Sequence, residues 1–131
     1  MNNIKRNMSP SENITRYILE KGKYSKNNNR VRYTTFLPNR DGETSVYRTQ
    51  SLDNGEIWDI GERYVAKPCN KTLRARADIT ASDVFNEGLK IEPDTTIHEL
   101  HANIIGWPEQ KDKQKLIALE LEKDARLYLC P

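Results

Sequence analysis

No run of eighteen apolar residues occurs in this chain, which excludes a membrane-spanning helix. The opening "MNNIKRNMSP" lacks the apolar core of a secretory signal, so a cytoplasmic protein, neither exported nor membrane-bound, is expected. Only two cysteines are present, Cys69 and Cys130. They lie far apart and form no C-x-x-C pair, which excludes a disulfide scaffold or a zinc ribbon and predicts two reduced thiols. Walker A, G-x-G-x-x-G and G-x-S-x-G motifs are all missing, as is a paired-carboxylate motif, so no common nucleotide-binding or hydrolase signature is available.

What remains fits one globular domain spanning residues 1–131. That length buries a core without a staple. The apolar fraction of 36% against 31% charged residues points to a heavily solvated surface rather than to disorder. The net charge of +2 hides an asymmetry: residues 1–50 carry ten Lys/Arg against four Asp/Glu, and residues 51–131 carry eleven against fifteen. A basic half attracts phosphate or an acidic protein surface, although neighbouring charges in a fold also cancel.

"SPSENITRYILEKG" reads as a helix, with Ser9 as N-cap, Pro10 in the first turn, Glu12 completing a capping box, Ile14, Tyr17 and Ile18 as the buried stripe and Gly22 as the stop. The asparagine-rich "KYSKNNNR" reads as an exposed loop. "VRYTTFLP" and "ETSVYRTQ" have strand composition and flank Asp41-Gly42, which suggests a hairpin. "SLDNGEIWDIGERYVA" has helical apolar spacing behind a Ser51 or Asp53 cap. "TLRARADI" alternates Leu73, Ala75, Ala77 and Ile79 against Arg74, Arg76 and Asp78, as a half-buried strand does. A short helix follows Thr80, whose capping partner is Asp83 and whose stop is Gly88. From Pro108 a long helix is expected, with Leu116, Ala118, Leu119, Leu121, Ala125, Leu127 and Tyr128 as its buried surface. This order predicts an α+β fold, one small mixed or antiparallel sheet packed against helices with a long C-terminal helix.

Both histidines fall in "TTIHELHANIIGWP". A helix capped by Thr96 would put His98 and His101 on one face within reach of one metal ion, whereas a strand would point them to opposite faces. Ile104-Ile105 and the following Gly-Trp-Pro turn favour a strand beginning near His101. "HELH" lacks the spacing of H-E-x-x-H, and only scattered carboxylates and Cys69 could complete a zinc shell, so neither metal nor cofactor is expected. His101 then reads as a hydrogen-bonded residue at a strand entrance with His98 exposed. A general acid/base role for His101 is the alternative and makes it the catalytic candidate.

Arg32, Arg48, Arg74 and Arg76 all fall on predicted strands, where an arginine face would grip phosphates with Tyr33 or Tyr47 available for stacking. Lys23, Lys26 and Arg30 extend the phosphate-binding candidates into the asparagine-rich loop. Ser45 in "TSVYR" has neither a nucleophile elbow nor an evident base. Trp58 and Trp107 read as packing anchors.

"SVYR", "EIWDIGE", "RARADI" and "HANIIGWP" followed by a Lys-rich helix together resemble a type of small uncharacterised bacterial protein. The resemblance covers most of the chain and implies a microbial accessory protein linked to mobile-element or phage-defence loci, with no residue role attached. The expected function is a small non-enzymatic interaction module that binds a larger protein, a nucleic acid or both. The alternative is a small enzyme or nucleotide-binding protein with His101 and strand arginines lining a pocket.

Overall fold

A computed structural model describes residues 8–131. Six strands form one antiparallel sheet: β1 (Asn13–Ile18), β4 (Thr44–Arg48), β5 (Ala75–Thr80), β6 (Lys90–Pro93), β7 (His101–Ile105) and β8 (Arg126–Leu129), in the order β6-β7-β4-β1-β5-β8. A separate two-residue ladder pairs β2 (Tyr24–Ser25) with β3 (Arg30–Val31). The helices are α1 (Asn54–Ile60), α2 (Ala81–Phe85) and α3 (Lys111–Asp124). The α+β class is as the sequence indicates.

Both faces of the sheet are covered. Ile14, Ile18, Val46, Ile79 and Ile104 meet Phe36 and residues of α2 and α3, notably Val84, Ala118 and Leu121. On the opposite face Tyr17 and Tyr47 pack beneath Ile57 and Ile60 of α1, Ala66 and Leu73. The helix continues past α1 as a wide π turn over Gly61–Ala66. There the ring of Tyr17 comes so close that a Cβ on Gly61 would lie 2.6 Å from it.

Several expectations hold. Asp53 caps α1 and Thr80 caps α2, each in a reciprocal capping box, because short acceptors free the first-turn N–H groups from solvent dependence. Gly42 and Gly88 take positive φ of 78° and 79° at their turns. The strand at His101 is β7. Cys69 and Cys130 are free.

The first predicted helix is instead β1. Ile14, Tyr17 and Ile18 satisfy helical spacing, but all of Ile14, Thr15, Tyr17 and Ile18 are buried, as a strand sandwiched between two layers requires and a one-striped helix does not. The predicted hairpin of 31–38 with 43–50 does not form. Tyr33–Thr35 make a 3₁₀ turn, and β4 pairs instead with β1 and β7. The asparagine-rich loop is the turn of the β2–β3 hairpin, with Asn29 at φ 52°. The final helix stops at Asp124. Leu127 and Tyr128 belong to β8, which closes the edge of β5 and so supplies backbone hydrogen bonds that an exposed edge would lack. β5 is not half-buried, since Arg76 and Asp78 are both buried. His98, expected to be exposed, is half-buried against the rings of Tyr47 and Tyr64.

Candidate functional site

Polar residues crowd the face of the sheet that carries Tyr17. The register places Asn103 opposite Ser45, His101 opposite Tyr47, Tyr47 opposite Thr15 and Thr15 opposite Asp78. Asn13 Nδ2 donates to Thr49 Oγ1 at 2.9 Å. The Thr49 and Thr15 hydroxyls are 2.8 Å apart, and Thr15 donates to Asp78 at 2.8 Å. Each of these buried hydroxyls is thereby satisfied, as a low-dielectric interior demands.

His101 is held from two sides. Its Nδ1 lies 2.9 Å from the backbone carbonyl of Asp94 and 3.8 Å from that residue's carboxylate. Its Nε2 lies 2.7 Å from Ser45 Oγ. A carbonyl oxygen only accepts, so neutral His101 carries its proton on Nδ1, and its Nε2 accepts the proton of the Ser45 hydroxyl. Hydrogen bonds from the Thr96 hydroxyl and backbone N–H, then the nearby His101 ring and a hydrogen bond from the Asn103 side chain, hold the Asp94 carboxyl below its usual value. The sequence offered Ser45 no base because the two residues sit 56 positions apart. The β4–β7 register makes them diagonal neighbours on one face.

The strand arginines do not share a face. Arg48 lies opposite Ile14 and grips Glu12 through two hydrogen bonds. Arg76 lies opposite Tyr17, between the rings of Trp58 and Tyr128 at 4.8 and 4.6 Å. One of its nitrogens donates to Asn54 at 3.0 Å. Its approach to Asp78 at 3.5 Å is ionic but not aligned as a hydrogen bond. Arg74 precedes β5 and donates to the Leu19 carbonyl. The fold thus gives the three arginines separate protein partners instead of gathering them into one pocket around His101. Among the described residues, no group of three His, Cys, Asp or Glu side chains is placed to hold a metal ion.

A second site is basic and open. Lys26, Arg30 and Arg32 are exposed on and beside the β2–β3 hairpin, and Lys23 is half-buried with Nζ on the Thr34 carbonyl. Arg30, Arg32, Ser25, Asn28 and Glu122 enclose a hollow of about 210 Å³. Glu122 is tied at both oxygens, one to Arg30 at 2.7 Å and one to the backbone N–H of Tyr33 at 2.7 Å. On the far side of Tyr33 a cleft of about 670 Å³ runs between the loop after the 3₁₀ turn and the start of α3, lined by Tyr33, Leu37, Pro38, Arg40, Lys111 and Lys115 among others. Lys115 Nζ stands 5.3 Å over the Tyr33 ring. Among the described residues, no acidic side chain lines this cleft. Arg40, Lys111 and Lys115 were not singled out in the sequence, though the i, i+4 spacing of the two lysines on a helix was legible.

No protein-family model matches this chain, and no curated protein or solved structure matches it either.

Proposed function

We propose that this protein is a binding module that grips the phosphate backbone of a nucleic acid with the β2–β3 hairpin and the adjoining basic cleft. The observation that carries this reading is the cleft: three cations, Arg40, Lys111 and Lys115, converge beside an aromatic ring, with no acidic side chain among the described residues of the lining. Arg30 and Arg32 continue the basic surface from the other side of Tyr33, where Glu122 is already committed at both oxygens. Phosphate binding of this kind gives affinity that weakens with salt and carries little sequence information. An accessory role beside a larger protein, in a microbial defence or mobile-element system, is the setting proposed for this activity.

Fluorescence anisotropy with single-stranded and duplex oligonucleotides at several salt concentrations tests it. Binding at low salt is expected, with the slope of log affinity on log salt flattening by about 0.7–0.9 for each phosphate-gripping cation removed. Lys111→Gln with Lys115→Gln, and separately Arg32→Gln, should each flatten it. An absence of binding at the lowest salt would overturn the nucleic-acid reading and leave an acidic protein surface as the partner.

A further inference from the structure

Ser45 and His101 do not take part in the basic surface. The geometry points to a reactive serine: Ser45 is a nucleophile with His101 as its general base, able to take an acyl group from a carboxylic ester. This inference is independent of the nucleic-acid reading and stands or falls without it.

The arrangement meets the requirements for an activated hydroxyl one by one. Ser45 Oγ is 2.7 Å from Nε2, within the reach needed for proton transfer. The tautomer is the correct one, because the Asp94 carbonyl takes the Nδ1 proton. The Asp94 carboxylate stands 3.8 Å from Nδ1 on the same side of the ring. The ring cannot swing away, since it is 3% exposed and set edge-on to Tyr47 at 5.2 Å. The Ser45 backbone is anchored too, its carbonyl accepting from Arg16 at 3.0 Å. The serine itself keeps partial exposure, on the interior strand β4 with β7 between it and the β6 edge. Asn103 lies opposite Ser45 on the same face, and its side chain hydrogen-bonds the Asp94 carboxylate, tying that carboxylate into the same cluster.

The step balances without a cofactor. Oγ forms a bond to the ester carbonyl carbon as its proton passes to Nε2. The tetrahedral species collapses by breaking the bond to the alkoxide, which leaves with the proton from Nε2. Water, deprotonated by the same nitrogen, then attacks the acyl-serine and releases the carboxylic acid and the free hydroxyl.

A fluorophosphonate, which phosphonylates activated serines, is the probe, with peptide mass spectrometry to locate the adduct. The full chain should gain one adduct, at Ser45, and none at its other five serines. Ser45→Ala should abolish it, and His101→Gln should slow it by about 10²–10⁴-fold. His101 is buried, so circular dichroism must first show that His101→Gln is folded. If it is not, comparison of native wild type with the same chain in urea decides, because activation by geometry predicts labelling of residue 45 only when folded. No adduct on the native chain, equal labelling in urea, or an unslowed folded His101→Gln would each overturn the assignment.

Discussion

Arg48 donates from Nε and Nη2 to the two carboxylate oxygens of Glu12, at 2.6 and 3.0 Å. Both side chains are nearly withdrawn from water, at 8% and 12% exposure. Removing one charge from such a pair strands the other in a poorly solvated place. Glu12→Gln should therefore cost about 3–5 kcal/mol in urea titration, while leaving nucleic-acid affinity unchanged. A loss below about 1 kcal/mol would mean that the guanidinium finds water when Glu12 is neutralised.

Leu121 is fully buried against the sheet, Leu119 is partly exposed and Leu116 is 65% exposed. Leu121→Ala should destabilise by about 2–5 kcal/mol. Leu119→Ala should cost clearly less, and Leu116→Ala should stay within about 0.5 kcal/mol. Equal losses at 116 and 121 would contradict the orientation of α3.

Gly61→Ala should destabilise by about 1–3 kcal/mol, because its methyl would overlap the Tyr17 ring. The Tyr17 hydroxyl also donates to the Ile57 carbonyl in the helix above, so the ring has little freedom to retreat. Thermal unfolding monitored by circular dichroism decides it, and an unchanged melting temperature would show that the π turn yields instead.

Asp124 ends α3, where the last carbonyls carry partial negative charge. Burial, then the carboxylates of Asp83 and Glu120, raise its carboxyl above the ordinary value. The folded state thus holds this proton more tightly than the unfolded state, and ionisation costs stability. That penalty is present above the folded-state pKa, shrinks as pH falls through it and is gone below the ordinary carboxyl value. Asp124→Asn should stabilise near neutral pH by about 0.3–1 kcal/mol, a figure kept small by solvent screening. The advantage should vanish below about pH 3. A gain that persisted at that pH would point to a cause other than charge.

Local chemistry was enough to place α1 and α2, because Asp53 and Thr80 cap helices through atoms three residues away, and enough to start β7 at His101, where two β-branched residues run into a glycine turn. The strand character of "TLRARADI" was equally visible in its alternation. Residues 13–18 were ambiguous by themselves. The positions Ile14, Tyr17 and Ile18 suit a helix stripe; only the ladders to β4 and β5, which come from distant sequence, satisfy the strand's backbone, and only the layers packed on either side of the sheet bury both of its faces. The same holds for Leu127 and Tyr128, which continue a helical pattern until the free edge of β5 offers them a ladder. Sites follow this division. The cations of the first half were legible as charge, but their meeting with Lys111 and Lys115 across Tyr33 depends on how α3 crosses the sheet. Ser45 acquires a base, and Arg48 a carboxylate, only through strand register, since a hydrogen bond between residues 56 or 36 positions apart leaves no trace in either local sequence.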